Sequence, residues 1–296
     1  MKSLSFLLAL VYVNVMPGFW HAWDSTKGQP ASVRVAAFKE AVIYPNLGAF
    51  INSEFARNLG SDDEIASYLD SLEPRIGELR ALSDRASAEL PGDIARIQVE
   101  LPGLSLGDIS VYLMPSFHHF NGQIHDLGKG IGVFLGVDGL LDFDGPDVNI
   151  SVTIAHELFH VYQFETHPGY HTGDALLWQA VWGEGSAAYA SQYLAARATK
   201  EQALGEQLAK LSPAQTKALA CYVQSHWNSQ RDDDIDSLLD AGAHADGLPP
   251  RGGYLIGYLA AADFAKTHTI AQIGSEPLAQ VEPSLEASVN RLCAGA

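Results

Sequence analysis

The motif His156-Glu157-Leu158-Phe159-His160 is the segment whose residue types and spacing best fit a chemical role. Residues four apart on a helix share one face, so both imidazoles could bind one metal ion. Glu157 would lie about 100° around the helix from His156, beside that ion and not on it. Burying these polar groups among apolar neighbours is costly unless a partner such as a metal compensates. We predict a zinc site at which Glu157 takes a proton from water. The alternative is a core helix with a His–Glu pair that is hydrogen-bonded elsewhere.

A catalytic zinc ion usually has three protein ligands and one open position. We predict Glu184 as the third ligand, because it is the only acidic residue in the apolar helix predicted for residues 176–196. Gly183 and Gly185 flank it, and we expect them to let this helix approach the motif helix closely. The loop residues His167 and His171 are alternative ligands.

These two elements together resemble the gluzincin (peptidase MA-like) zinc metallopeptidases, in which a glutamate on the next long helix follows His-Glu-x-x-His. The pattern Trp-x-Glu-Gly-x-Ala-x-Tyr at residues 182–189 is most similar to bacterial predicted zinc-dependent proteases of that superfamily. The resemblance implies an N-terminal α/β lobe, a helical C-terminal lobe and one zinc ion per chain in a cleft between them. It also implies that a strand before the motif helix pairs with an extended substrate, and residues 132–136 match that position. The alternative for this segment is an ordinary interior strand.

The resemblance also assigns a tyrosine to catalysis. Aminopeptidases of this superfamily carry Tyr-x-x-Gly after the glutamate ligand, and the tyrosine hydrogen-bonds the oxyanion. Tyr254 and Gly257 match this motif. Tyr258 is the second candidate, and a tyrosine that only packs on its helix is the alternative.

The sequence departs from the superfamily in two places. The Gly-x-Met-Glu-Asn motif of the exopeptidases is absent, so trimming of amino termini is not implied. Ala188 stands where thermolysin-like members have an aspartate that holds a zinc-binding histidine. The residue that orients His156 is therefore not identified from sequence.

These residues predict a zinc-dependent peptidase that hydrolyses peptide bonds in a peptide or protein substrate. One rival is a zinc-dependent hydrolase of a non-peptide amide or ester. Another is a non-catalytic binding protein with a vestigial zinc site. Structural zinc sites are usually closed by four protein ligands, whereas two histidines, one glutamate and an adjacent base fit an open catalytic site.

Composition excludes some classes of partner. The formal net charge of −17 repels phosphate backbones, so we expect no nucleic-acid partner. Hydrophobic residues make up 47% of the chain, which is enough for a sizeable core. No segment predicts a stable membrane span.

The order of predicted elements is helices, a small sheet, then helices, which indicates an α+β fold. We expect an N-terminal lobe at residues 28–172, which includes the motif helix, and a helical lobe at residues 173–296. Helices are predicted at residues 62–90, 149–164, 174–196, 201–211, 213–227 and 257–266. Strands are predicted at residues 95–101, 109–114 and 132–137. The acidic run at residues 232–236 indicates a solvated turn. His118, His119 and His125 would line the cleft or lie solvated in loops.

The N-terminus has the pattern of an export signal, with Lys2 before an apolar run at residues 4–16. We predict a signal and linker at residues 1–27, and a periplasmic or extracellular protein. A buried N-terminal strand or helix is the alternative.

Cys221 and Cys293 could form one disulfide in an oxidising compartment, or remain separate thiols.

Overall fold

The fold is α+β, mostly helical with one four-stranded sheet, and this confirms the predicted class. The computed structural model describes residues 11–51, 61–104, 109–128, 130–167, 175–196, 198–240, 242 and 247–295. The chain divides into two compact units, Met1–Gly92 with Ser105–Ile150, and Asp93–Leu104 with Ser151–Ala296. This division differs from the expected boundary at residue 172, because the motif helix groups with the C-terminal helices.

The first unit contains the sheet and most N-terminal helices. Its helices are α1 (Met16–Ser25), α2 (Ala31–Phe38), α3 (Leu47–Ile51), α4 (Asp62–Leu72), α5 (Ile76–Glu100, which continues into the second unit) and the short α6 (Val137–Gly139). A capping box starts α4. The Ser61 hydroxyl accepts a hydrogen bond from the Glu64 backbone N–H, and the Glu64 carboxylate accepts one from the Ser61 backbone N–H. Ile65, Leu69 and Leu72 then repeat at helical spacing and are buried.

The sheet has the order β1-β2-β4-β3, with strands β1 (Val11–Asn14), β2 (Ile109–Met114), β3 (Gly122–Asp126) and β4 (Ile131–Gly136). β2 pairs in parallel with β1 and β4, and β3 pairs antiparallel with β4. The strands predicted at residues 109–114 and 132–137 are therefore present. However, β4 has neighbours on both sides, so its backbone cannot pair with a substrate, and the prediction of a substrate-binding strand at residues 132–136 is wrong.

The predicted end of a helix at Pro91 and the strand at residues 95–101 are also wrong, because α5 runs through both. Proline inside a helix costs about 3 kcal/mol. The apolar side chains nevertheless recur every three or four residues on both sides of Pro91, as one face of a helix requires. All of them are buried: Ala86, Leu90, Ile94, Ile97 and Leu101. Burying a single Leu or Ile side chain contributes about 1.5–3 kcal/mol, so the free energy gained by burying this row of side chains exceeds the cost of the proline.

Residues 11–25 form a strand and a helix, as the alternative to an export signal expects. β1 pairs with β2 through its whole length, and Met16 and Phe19 of α1 are each 1% exposed. The Trp20 indole N–H donates to the Ser83 hydroxyl at 3.0 Å. Cleavage between residues 20 and 30 would remove an edge strand and these buried side chains. Export itself stays a prediction.

The second unit is helical over its described residues. Its helices are α7 (Ile150–Thr166), α8 (Leu177–Leu194), α9 (Lys200–Leu204), α10 (Glu206–Ala209), α11 (Pro213–Ser225), α12 (Asp232–Leu239), α13 (Gly252–Phe264), α14 (Ile270–Ser275) and α15 (Leu278–Ala294). The helix predicted at residues 201–211 is broken at Gly205, which has φ +80°.

The acidic run at residues 232–236 begins helix α12, so the predicted turn is wrong. Carboxylates in a first helical turn interact favourably with the exposed N–H groups and the helix dipole.

The two cysteines are bridged, and Cys221 links α11 to Cys293 of α15 with a Cα–Cα distance of 4.7 Å. None of the helices among the described residues is both long and apolar enough to cross a membrane.

Candidate metal centre

The two motif histidines lie one turn apart on α7 and direct their Nε2 atoms toward each other, 3.0 Å apart. The apolar residues between and around them are fully buried: Ile154, Ala155, Leu158, Phe159 and Val161. These residues fix one face of α7 in the core and leave the imidazoles on a partly open face. The side chains of His156 and His160 are 18% and 12% exposed.

Glu184 of α8 completes a cluster of three potential ligands. Its Oε2 lies 3.2 Å from Nε2 of His156 and 3.4 Å from Nε2 of His160. A tetrahedral zinc ion with bonds of about 2.0–2.1 Å places its ligand atoms roughly 3.3–3.4 Å apart. The three atoms therefore lie close to three corners of such a tetrahedron. The Glu184 side chain is 28% exposed, which leaves room for a fourth, non-protein ligand.

The described residues contain no other cluster of three or more His, Cys, Asp or Glu side chains that could hold a metal ion. The predicted alternatives to Glu184 do not join this cluster. The His167 imidazole N–H donates to the Ser275 carbonyl oxygen. His171 lies outside the described residues. His118, His119 and His125, which were predicted to line the cleft or lie solvated in loops and not to bind the metal, belong to the first unit.

A glycine contact fixes the position of α8, but it does not join α8 to the motif helix as expected. A Cβ atom on Gly185 would lie 2.2 Å from the Cα atom of Gly257 in α13. A Cβ atom on Gly257 would lie 2.0 Å from the Val181 carbonyl oxygen. A Cβ atom on Gly183 would have no atom within 4 Å. Gly185 and Gly257 thus let α8 and α13 touch backbone to backbone, next to Glu184 and one turn after Tyr254.

The charges in the cluster favour a cation at its centre. Burial lowers the pKa of His160, but the Glu184 carboxylate outweighs it and raises that pKa to about 9. Burial raises the pKa of Glu184, but His160 and His156 lower it well below its usual value. The carboxylate is therefore ionised and strongly stabilised by positive charge beside it.

Glu157 lies near the cluster without belonging to it. Burial raises the pKa of Glu157, whereas the charges of His156 and His160 lower it, and the net result is a raised pKa. A carboxylate with a pKa closer to neutrality is a better proton acceptor and donor at neutral pH. This is the environment that the motif predicts for a general base.

Sequence reasoning missed the residues that hold His160. The Nδ1 atom of His160 lies 3.3 Å from Oε1 of Gln163, which is fully buried. The Gln163 amide N–H donates to the Ser186 hydroxyl at 2.9 Å, two residues after Glu184. These two hydrogen bonds link α7 to α8 and fix the ring orientation of one potential ligand. The signal was present in the sequence, since Gln163 is a polar residue on an apolar helix, three residues after His160.

Tyr254 of α13 lies beside the cluster. Its ring is nearly parallel to that of His156, with an interplanar angle of 12° and centroids 6.1 Å apart. Burial and the negative charge of Glu184 raise the pKa of Tyr254 well above its usual value, so the phenol keeps its proton. Tyr258 instead donates its hydroxyl to Gln192 and packs against Tyr189.

Arg251 is a second residue that sequence reasoning missed. It precedes α13 in the left-handed conformation, with φ +55°, which is uncommon for a residue other than glycine. Its guanidinium carbon lies 5.8 Å from the centroid of the Tyr254 ring. Its charge also acts to lower the pKa of Glu157 and of Tyr254. The site therefore combines two carboxylates, two imidazoles, a phenol and a cationic side chain.

No protein-family model matches the chain, and comparisons with curated proteins and with solved structures give no match either. The likeness to gluzincins thus depends on the motif residues and on the geometry just described.

Proposed function

We propose that the chain is a zinc-dependent hydrolase, and specifically a peptidase, with one zinc ion held by His156, His160 and Glu184. One observation carries this proposal. Three potential ligand atoms lie 3.0–3.4 Å from one another on a partly open surface, with Glu157 next to them. Two imidazole nitrogens and one carboxylate oxygen are a ligand set typical of catalytic zinc.

Each side chain at the site has a chemical task in this proposal. A bound zinc ion supplies a Lewis acid that polarises a carbonyl group and acidifies water. Glu157 accepts a proton from the attacking water and passes it to the leaving amine. The Tyr254 phenol donates a hydrogen bond to the carbonyl oxygen as negative charge develops there. Gln163 keeps the His160 ring in its ligand orientation.

The choice of peptide bonds rests on the resemblance to gluzincins. The same side chains could hydrolyse a non-peptide amide or ester. A binding protein with a vestigial zinc site is the rival outside enzymes, and a fourth protein ligand on the ion would favour it.

We also propose that the protein is exported to the periplasm or the cell exterior. Disulfides persist in oxidising compartments, so the Cys221–Cys293 bridge supports this location. The buried residues of α1 argue against cleavage between residues 20 and 30. Mass spectrometry of the mature N-terminus tests both statements, and a reduced cytosolic protein that retains Met1 would contradict export.

The function is tested by cleavage of a mixed peptide library, with and without a chelator. We expect cleavage by the zinc-loaded protein and none after zinc removal. Glu157→Gln should bind zinc normally but lose about 10²–10⁴-fold in turnover, because glutamine cannot accept the proton. Glu165→Gln, on the same helix, is the matched control and should cleave normally. Cleavage of esters or small amides only, with intact peptides, would move the proposal to the rival substrate class.

A further inference from the structure

A cavity of about 460 Å³ opens in the first unit, between α4 and the loop that joins β2 to β3. A volume of this size fits a small organic ligand. Ser67 and Ser71 of α4 and Phe117 and His118 of the loop contribute to its lining. None of the residues in the proposed zinc site belongs to it, since that site lies in the second unit.

Two side chains that line this cavity, Ser71 and His118, have the spacing of a nucleophile and a base, and a third side chain, Asp142, lies behind the imidazole. The Ser71 hydroxyl oxygen lies 2.8 Å from Nε2 of His118. Nδ1 of the same imidazole lies 2.5 Å from Oδ2 of Asp142. These distances are within hydrogen-bond reach on both sides of the ring. We propose that Ser71, His118 and Asp142 form a nucleophilic triad that takes an acyl group from small activated esters.

The acid and the base are held by further contacts. Arg75 donates to Oδ1 of Asp142 at 3.0 Å, on the oxygen that His118 does not use. A carboxylate fixed in this way favours the imidazole tautomer with its proton on Nδ1, which leaves the lone pair of Nε2 facing Ser71. The Ser71 hydroxyl also donates to the Tyr68 carbonyl oxygen at 2.6 Å, so in the proposed reaction the O–H must rotate from that oxygen toward Nε2 of His118.

The loop that carries His118 has a strained backbone. Phe117 and His118 both have positive φ, +57° and +65°, which side chains other than glycine rarely adopt. A residue in this conformation is strained and persists only where its surroundings enforce it. Here the buried Asp138 accepts the backbone N–H groups of Ser116 at 2.6 Å and His118 at 2.7 Å. The fold thus maintains a costly conformation that aims the imidazole at Ser71.

The lining of the cavity limits the substrate. Phe117 stacks on Tyr68 with ring centroids 4.2 Å apart, which gives an aromatic wall for an apolar or aryl group. Asp63 and Glu64 also line the cavity and disfavour anionic substrates. The triad therefore fits neutral or cationic esters with a good leaving group, such as aryl esters.

The reaction balances within these groups and water. The Ser71 oxygen bonds to the acyl carbon, its proton moves to Nε2 of His118, and the proton then leaves with the departing phenol. Water next attacks the acyl carbon and gives a proton to Nε2. The carboxylic acid departs, and that proton returns to the Ser71 oxygen.

The test uses the full chain in the presence of a chelator, so that metal-dependent chemistry is silent. A fluorophosphonate probe reacts with a nucleophilic serine by forming a bond from oxygen to phosphorus and releasing fluoride. Peptide mass spectrometry should find the label on Ser71. Ser67 lies one turn away on α4 and lines the same cavity, whereas the contact with His118 is made by Ser71, so Ser67 is the internal control.

Ser71→Ala should lose the label, and Ser67→Ala should keep it. His118→Asn should slow labelling by about 10²–10⁴-fold, the range for loss of a general base. Asp142→Asn should also slow it, because the imidazole loses the acceptor that sets its tautomer. Equal labelling of Ser71 and Ser67 in the wild-type protein would overturn the triad. So would an unchanged rate at Ser71 in a folded His118→Asn protein.

Discussion

The contact between Gly185 and Gly257 gives the sharpest prediction about the fold of the proposed zinc site. Gly185→Ala adds a methyl group 2.2 Å from the Gly257 Cα atom, 2.3 Å from its carbonyl carbon and 2.4 Å from the Tyr258 nitrogen. All three are backbone atoms, so no side chain can rotate away. Ordinary carbon contacts begin near 3.4 Å, so α8 and α13 must separate by about 1.2 Å.

That separation has two expected consequences. Overpacking of this kind costs about 1–3 kcal/mol, which urea denaturation of the metal-free protein measures as a lower midpoint with an unchanged slope. Glu184 adjoins Gly185, and Tyr254 lies one turn before Gly257. A displacement of about 1 Å between such groups can cost about 10²-fold in turnover, which we expect for the zinc-loaded variant on the peptide library.

Gly183→Ala is the matched control, because it lies in the same helix and a Cβ atom there would have no neighbour within 4 Å. Alanine in place of an unconstrained helical glycine should stabilise the protein by about 0.5–1 kcal/mol. The reasoning is refuted if Gly185→Ala unfolds at the same urea concentration as the wild type. Equal damage from both substitutions would show that the cost does not arise from the contact with Gly257.

Three further predictions follow from other parts of the structure. Tyr254→Phe should lower turnover by about 10–10³-fold at unchanged zinc content, whereas Tyr258→Phe should have little effect; the reverse ranking in steady-state kinetics would transfer the role to Tyr258. Replacing Cys221 and Cys293 by alanine frees a loop with a sequence separation of 72 residues and should cost about 4 kcal/mol in chain entropy, read as a lower urea midpoint; an unchanged midpoint would mean that the bridge does not form. Burial raises the pKa of Asp138 despite two backbone N–H donors, so the stability that its protonated form contributes is present at low pH and lost as pH rises through the raised pKa. The free energy of unfolding of the wild type relative to Asp138→Asn should therefore fall as pH rises above about 4, the usual pKa of an unfolded aspartate, and a rising difference would contradict the raised pKa.

The three potential metal ligands could be predicted as a cluster because local rules govern them. Helical spacing puts His156 and His160 on one face, and a lone carboxylate in an apolar helix needs a partner, which identifies Glu184. Strand β2 was also predictable, since its alternation and its flanking turns are local. The α+β class follows from the order of elements and needs no knowledge of their packing.

The errors arise where tertiary contacts override local signals. Pro91 predicts a helix end, but the buried stripe of α5 continues past it. β3 has no buried position and was missed, since only its pairing with β4 defines it. β4 was predicted as a strand, but its place inside the sheet depends on β3. The role of Gly185 requires knowledge of which helix crosses α8.

The roles of Gln163 and Arg251 were missed for the same reason. Gln163 stands out in the sequence as a polar residue on an apolar helix, but its role also depends on the Ser186 hydroxyl, which comes from another helix. Likewise, the position of Arg251 beside Tyr254 depends on a left-handed backbone conformation that the sequence does not announce.

Metal content tests the central claim most directly, because a proton shared among the same atoms could also give separations of 3.0–3.4 Å. We expect one zinc ion per purified chain by elemental analysis. Replacing His156, His160 or Glu184 with alanine should lower the content well below one, while the folded protein remains. A wild-type protein that binds no metal after zinc addition would contradict the account, and so would a Glu184→Ala protein that binds zinc with unchanged affinity.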